Sequence, residues 1–190
     1  MPYSKPELDR ESKQLLLSLA RESITHGLEQ HQPLPVTPAE YPQALQQAGA
    51  SFVTLEKQHQ LRGCIGSLEA YRPLVVDIAE NAFAAAFRDP RFTPLQRDEL
   101  SELQIHISLL TPAESFPVKD EAELLRQLRP GIDGLILHDG RHRATFLPSV
   151  WESLPTPQQF VAQLKLKAGL PVDYWSDSLR FERYQTIIIE

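Results

Sequence analysis

The chain has 190 residues, of which 42% are hydrophobic and 23% are charged, and these values are ordinary for a globular protein of one domain or two small lobes. Its 19 basic and 25 acidic residues give a net charge of −6, which argues against a nucleic-acid-binding protein, since such proteins usually carry a basic excess. A single cysteine excludes an intramolecular disulfide and any zinc or iron–sulfur site built from several cysteines of one chain.

The predicted location is cytoplasmic. No apolar run approaches the length of a membrane span, and the N-terminus lacks the apolar core of a signal peptide. A lone cysteine also fits a reducing compartment. We therefore expect a soluble protein that neither binds a membrane nor carries a metal or other cofactor of its own.

The first third of the chain predicts a helix, a proline-rich connection and a β-hairpin. Apolar residues at helical spacing predict a helix from Glu7 to Gly27, and four prolines over residues 33–42 allow only one short helical turn after it. Apolar and β-branched residues predict a strand over Ala50–Lys57, and the polar run that follows is typical of a turn into a second strand over Leu61–Leu68.

The middle of the chain predicts a helix and a half-buried strand. Pro73 opens the helix, whose apolar stripe runs to Ala86, and Asp89-Pro90 ends it because a residue before proline is pushed out of the helical region. Strict alternation over Leu103–Leu110 predicts a strand with one face in a core. We interpret Glu80 and Asn81 as part of a solvated helix face, with the alternative that one of them faces the hairpin.

The last third predicts a helix from Asp120 to Arg129, a hairpin, a helix after Thr156 and a closing strand over Leu179–Ile189. A two-residue loop at Asp139-Gly140 would place His138 opposite Arg141. One hairpin face is then basic and the other apolar, and the basic face comprises Ile136, His138, Arg141, Arg143 and Thr145. The predicted fold is α+β, mainly antiparallel sheet packed with helices, with a smaller lobe over residues 112–147.

The segment Leu61-Arg62-Gly63-Cys64-Ile65-Gly66 is the strongest candidate site. Strand alternation places Arg62 and Cys64 on one face, about 7 Å apart, where a guanidinium can favour a reactive thiolate. Gly63 and Gly66 weaken a strand, so they indicate either a β-bulge or close approach by another backbone or a ligand. We expect Gly63→Val to retain the fold. The alternative interpretation is a small, largely buried cysteine without chemistry.

Two further groups could complete this site. Arg88, Asp89 and Arg91 follow the helix end beside the hairpin, where they would either brace the loop by pairing or line an anion site next to Cys64. His106 could serve Cys64 as a base if their strands are neighbours, although a solvent-facing histidine is the commoner case.

Beyond the six-residue segment, blocks such as Ala50–Leu55, Asp77–Asn81, Ala86–Phe92 and Arg143–Pro148 follow in the same order as in one known family. The chain resembles the AMMECR domain family, whose prokaryotic members are called AmmeMemoRadiSam system protein A, and the resemblance covers nearly the whole chain. It implies an α+β fold in two lobes with the Leu61–Gly66 signature near the cleft between them. It also implies genomic company with a Memo-type protein and a radical-SAM protein, which makes these two the candidate partners, and it supplies no settled activity.

Two functions remain open. In the first, the chain is a binding module whose cleft holds a partner chain or ligand. In the second, it is a group-transfer enzyme or hydrolase with Cys64 as nucleophile or modified thiol, and with Arg62 as activator or anion clamp. The lack of a convincing base favours binding. With Arg143 reaching over Gly63 and Arg62, we expect the cleft to be cationic and to bind an anionic group such as a carboxylate or phosphate.

Overall fold

The computed structural model describes residues 8–190, which fold into α-helices and two antiparallel four-stranded sheets. The predicted α+β class is confirmed. The described chain divides into two compact units, one running up to Leu110 and including Ile187–Glu190, and the other comprising Thr111–Thr186. The second unit therefore extends well beyond the predicted smaller lobe of residues 112–147.

The helices and strands follow one another in chain order. They are α1 (Arg10–Gln30), α2 (Gln43–Gln46), β1 (Ala50–Lys57), β2 (Gln60–Gly66), α3 (Leu74–Phe87), β3 (Leu103–Leu110), β4 (Glu114–Ser115), α4 (Glu121–Gln127), β5 (Gly134–Asp139), β6 (His142–Phe146), α5 (Pro157–Lys167), β7 (Arg180–Tyr184) and β8 (Thr186–Ile189). Short 3-10 helices span Pro38–Glu40, Arg97–Glu102 and Pro148–Glu152.

Helix α1 begins where the Asp9 carboxylate caps its first turn. The start of the predicted helix, Glu7, lies outside the described residues, and its predicted end is wrong, since the helix continues through Gly27 to Gln30. A Cβ at Gly27 would lie 2.5 Å from a ring carbon of Phe87 on α3. This glycine therefore allows two helices to approach closely and does not end the first one.

The first sheet has the strand order β2-β1-β3-β8 and carries α1 and α3 on one face. Val53 and Leu55 of the central strand β1 are fully buried under the helices, as is Ile107 of β3. The bounds of β1 and β3 are as predicted, since β1 has a run of apolar and β-branched residues and β3 has clean apolar alternation over its whole length.

Strand β2 contains a β-bulge, one of the two features that its glycines indicated, and simple alternation does not place it. Gly63 lies opposite Leu55, whereas Leu61 lies opposite Glu56, so Arg62 is an additional residue in β2 and forms a β-bulge. The side chains on either side of the bulge therefore do not follow a simple period of two. The strand also ends at Gly66, two residues before the predicted end.

The second sheet has the order β4-β7-β5-β6 and belongs to the second unit. The hairpin of β5 and β6 pairs Asp139 with His142 and His138 with Arg143, so the predicted pairing of His138 with Arg141 is wrong. Gly140 and Arg141 occupy the turn, with Gly140 at a φ of +57°. The register differs by two residues, so apart from Arg141 the predicted basic face is retained.

The core of the second unit forms where helix α5 packs on this sheet. Phe160 of α5 is fully buried and stacks on Trp151, with ring centroids 3.9 Å apart. The Trp151 indole N–H donates to the carbonyl of Asp133, which satisfies its polar atom inside the core.

The predicted closing strand is two strands in two sheets. Strand β7 belongs to the second sheet and β8 to the first, and Gln185 lies between them. Thr111 and Gln185 are joined by two hydrogen bonds of 2.8 Å, from the Thr111 N–H to the Gln185 carbonyl and from the Gln185 N–H to the Thr111 hydroxyl. The two points where the chain enters and leaves the second unit are thus held side by side.

Candidate functional site

Cys64 lies in the edge strand β2, on the sheet face away from α1 and α3. It pairs with Thr54 of β1, and the Cys64 Sγ lies 3.2 Å from the Thr54 hydroxyl. The cysteine is half-buried, whereas we expected a largely buried residue. We define the Cys64 face as the surface formed by Cys64, Thr54, Glu56, Gln104 and His106 on strands β2, β1 and β3.

The outward backbone groups of Cys64 are capped by side chains from the loop after α3. The Cys64 N–H donates to Asp89 Oδ2 at 2.9 Å, and the Cys64 carbonyl accepts from Arg91 Nη2 at 3.4 Å. A loop laid along an edge strand in this way keeps the edge from pairing with another chain. Of the two interpretations of Asp89 and Arg91, bracing is therefore the one that these contacts support.

Asp89 and Arg91 neutralise each other next to Cys64. Arg91 Nε and Nη2 donate to the two Asp89 oxygens at 3.0 and 2.7 Å. These bonds hold the pKa of the buried Asp89 far below its usual range, although burial opposes that shift, and the same pairing raises the pKa of Arg91. The Arg91 guanidinium also reaches the Cys64 backbone carbonyl.

Arg62 does not act on Cys64 as predicted, because the bulge turns it toward another partner. Its Nε and Nη2 donate to the two Glu99 oxygens at 3.0 and 3.1 Å, and Nη2 also donates to the Thr93 carbonyl at 2.9 Å. The bond from Arg62 is the main reason why the pKa of Glu99 falls to about 2. The expected cationic site is corrected accordingly, since Arg62 and Arg91 each have a carboxylate partner.

The two signature glycines permit two different close approaches. A Cβ at Gly63 would lie 2.1 Å from the carbonyl oxygen of Ala85 in α3, so backbone meets backbone there, as predicted. A Cβ at Gly66 would lie 2.2 Å from the ring of Phe52, so that glycine accommodates a side chain. Gly63 therefore permits close packing, which argues against the expectation that Gly63→Val retains the fold. The outcome of that substitution stays a prediction.

His106 is not adjacent to Cys64, since β1 separates their strands. It lies opposite Thr54 on the far side of that strand, about 10 Å from Cys64 between backbones. Its ring nitrogens lie 3.5 Å from a Glu56 oxygen and 3.3 Å from a Glu190 oxygen. The condition for its role as a base, that the two strands are neighbours, is not met.

The arrangement around Cys64 can now be compared with known proteins. The family model AMMECR1 matches residues 17–189, which is most of the chain and includes the entire signature.

The chain belongs to the AMMECR1 family.

Relatives of this AMMECR1-family chain are found in several archaea. A protein from Saccharolobus islandicus is 41% identical over 96% of this chain and 82% of its own length. A protein from Methanothermobacter thermautotrophicus is 36% identical over 95% of both chains. The crystal structure of an uncharacterized protein from Pyrococcus horikoshii has the same fold, with a TM-score of 0.81 and 31% identity, over 95% of this chain and 92% of the other. None of these names states an activity.

Two of the predicted site residues lie apart from Cys64. Arg88 is exposed, with its guanidinium 4.9 Å from the Phe83 ring. Arg143 lies in the second unit, on β6 opposite His138. Its predicted reach over Gly63, like the cleft itself, stays a prediction.

Sequence reasoning missed a buried polar cluster at the start of α3. Asp77 is fully buried, and its carboxylate accepts from the Ser51 N–H and hydroxyl, the Asn81 amide, the Ser67 hydroxyl and Arg72 Nε. Asn81, interpreted as solvated, is buried against Ser51. The missed signal is the spacing of Asp77 and Asn81, which places both on one side of the helix.

Between residues 8 and 190, no group of three or more His, Cys, Asp or Glu side chains is arranged to hold a metal ion. No helix in the same range is both long enough and apolar enough to cross a bilayer. The expected lack of a cofactor, the lack of nucleic-acid binding and the cytoplasmic location stay predictions.

Proposed function

We propose that this AMMECR1-family chain is a binding module whose partner docks on the Cys64 face. One observation carries the proposal. Cys64 is half-buried on a sheet face whose residue Gln104 is exposed, and the hydrogen-bond neighbour of its thiol is the Thr54 hydroxyl and not a base. A general base has to lie within about 3 Å of the proton that it removes, or one water away.

The setting of the face supports binding over catalysis. Asp89 and Arg91 fix the Cys64 backbone, and the close approach of Gly63 to Ala85 fixes the preceding residue against α3. The structure thus holds a short strand segment in one conformation, and such preorganisation lowers the entropy cost of binding. Arg62 and Arg91 are neutralised, so attraction of an anion is no longer the leading reason for binding.

A cysteine-dependent enzyme is the second candidate, and one observation favours it. The Arg91 guanidinium contacts the Cys64 carbonyl, and it would favour a thiolate at Cys64 if Asp89 were drawn away from it. In this version Arg91 takes the activating role that was assigned to Arg62. Group transfer or hydrolysis then requires a base that belongs to the substrate or the partner.

The proposed partners are the Memo-type and radical-SAM proteins, and the resemblance of the chain to its family supports them. Tagged chain is mixed with each purified protein, and affinity is measured by calorimetry. Gln104→Arg introduces a large charged side chain at an exposed position of the Cys64 face and should weaken binding at least tenfold. Ser101→Arg, at an exposed position of the neighbouring 3-10 helix, is the matched control and should bind like wild type.

Cys64→Ser separates the two candidate functions. Serine can keep the hydrogen bond to Thr54, so a binding module should retain its affinity. An enzyme that uses the thiol should instead lose its activity, or lose the mass change on Cys64 after incubation with the two proteins. Equal binding by Gln104→Arg and Ser101→Arg would rule out the Cys64 face as the docking surface.

A further inference from the structure

The loop between β2 and α3 has exposed residues, and hydrogen bonds at both of its ends hold it to the protein. Its residues Leu68, Glu69, Ala70 and Tyr71 are all exposed, and the Tyr71 side chain is 68% accessible. The residues on either side of this stretch, Ser67 and Arg72, are only partly exposed and point into the protein.

Both ends of the loop are tied to the same buried carboxylate. The Ser67 hydroxyl and Arg72 Nε donate to Asp77 Oδ1 at 2.7 and 2.8 Å. Backbone bonds add to this anchor, from the Ser67 N–H to the Ser51 carbonyl at 2.9 Å and from the Gly49 N–H to the Arg72 carbonyl at 3.1 Å. The ends of the loop can therefore move little relative to the sheet.

The exposed side chain of Tyr71 is held in place as well. The Arg72 guanidinium lies 4.9 Å from the centroid of the Tyr71 ring, which restricts the ring by a cation–π contact. Leu68 is 46% exposed, three residues before Tyr71. Burying a carboxylate as completely as Asp77 costs free energy unless its lone pairs accept hydrogen bonds. Here the two ends of an exposed loop donate some of those bonds.

We propose that the loop Leu68–Tyr71 is a preorganised docking element that inserts Tyr71 and Leu68 into an apolar pocket of a partner protein. Tyrosine is enriched among the residues that dominate binding energy, and a rigid loop loses little freedom on binding. The proposal goes beyond the binding function assigned to the Cys64 face, since it depends on other residues.

The charge of the loop and of the whole chain favours a protein pocket over a membrane or nucleic acid as the site where the loop docks. The Arg72 charge is balanced by Asp77, the loop also carries Glu69, and the whole chain has a net charge of −6. This balance disfavours an anionic membrane surface or nucleic acid. A symmetric pair of this loop with a second copy would bring two Glu69 carboxylates together.

The first measurement tests whether the loop is rigid. Backbone ¹⁵N relaxation of the full chain should give order parameters of about 0.85 for residues 68–71, the value of rigid backbone. In Ser67→Ala, which removes one of the two side-chain anchors to Asp77, these values should fall while those of β1 stay unchanged. Order parameters below about 0.6 in the wild-type loop would overturn the proposal.

The second measurement identifies and weighs the partner. A photo-reactive phenylalanine analogue at position 71 is crosslinked in cells, and the captured protein is purified and titrated against wild type and variants. Tyr71→Ala and Leu68→Ala should each weaken binding about tenfold or more. Ile132→Ala, a residue with the same 46% exposure as Leu68, is the control and should leave affinity unchanged.

Three outcomes would overturn the proposal. They are a crosslink only to a second copy of the chain, no protein crosslink at all, and equal affinity of Tyr71→Ala and wild type for the captured protein. Retained binding of that protein by Gln104→Arg shows that the loop acts independently of the Cys64 face.

Discussion

The contact between Gly63 and α3 makes a sharp prediction about stability. In Gly63→Ala the new Cβ would lie 2.1 Å from the Ala85 carbonyl oxygen and 3.0 Å from its carbon. Both obstructing atoms are backbone atoms in a helix that packs on the sheet, so no side-chain rotation can relieve the overlap. Either β2 or α3 has to shift by about 1 Å, and shifts of this kind disturb a close-packed core.

The size of the effect follows from the known costs of overpacking. Such substitutions usually cost about 1–3 kcal/mol, and a backbone obstruction belongs at the upper end. Replacing glycine by alanine also restricts the unfolded chain, which offsets about 0.4–1 kcal/mol. We therefore expect a loss of about 2 kcal/mol in the free energy of unfolding, which lowers the melting temperature by about 4–8 °C for a chain of this length.

The assay compares thermal melts of wild type, Gly63→Ala and Gly66→Ala by circular dichroism. At Gly66 the obstructing atoms belong to the ring of the half-buried Phe52, which can move aside, so the melting temperature should fall by less. Gly63→Val should be worse than Gly63→Ala because it adds two methyl groups at the same spot. A Gly63→Ala melt within 1 °C of wild type, or a larger loss at Gly66, would refute the packing argument.

Three further predictions concern charged residues near the signature. The folded pKa of Glu99 is about 2 against an ordinary 4.5, so its bond with Arg62 stabilises the fold fully above about pH 4.5 and loses that effect as the pH falls toward 2. The difference in stability between wild type and Glu99→Gln, measured by urea unfolding, should therefore shrink on acidification. A difference that stays unchanged from pH 7 to 3 would contradict this. Asp89→Asn should speed alkylation of Cys64 by iodoacetamide several-fold at pH 7, because the Arg91 charge that contacts the Cys64 backbone is then unbalanced. Arg91→Gln should slow the same reaction, and a change in the opposite direction in either variant means that the pair does not control the thiol.

Local patterns in the sequence predicted elements whose causes are local. The bounds of β1 follow from its apolar and β-branched residues, those of β3 follow from apolar alternation, and α3 starts and ends where proline rules place it. The hairpin of β5 and β6 was predicted two residues out of register, yet its faces are right because an even shift preserves the alternation.

The errors at the candidate site have causes far away in the sequence. The bulge at Arg62 is accompanied by bonds to Thr93 and Glu99, more than thirty residues later, and no pattern within β2 reveals them. The burial of Asn81 depends likewise on Ser51 of another element. Spacing could suggest that Arg62 and Cys64 act together, but only the tertiary contacts show that Arg91 is the guanidinium at Cys64.

The pair of hydrogen bonds between Thr111 and Gln185 bears on the order of folding. Strand β8 completes the first sheet, yet it follows the entire second unit in the chain. For an unfolded chain, pairing β8 with the sheet means closing a long loop at an entropic cost. Once the second unit has folded and joined Thr111 to Gln185, that loop is already closed and β8 emerges beside the residue that follows β3. We infer that residues 111–186 act as a folding template for the last strand, so that destabilising them delays completion of a sheet to which they do not belong.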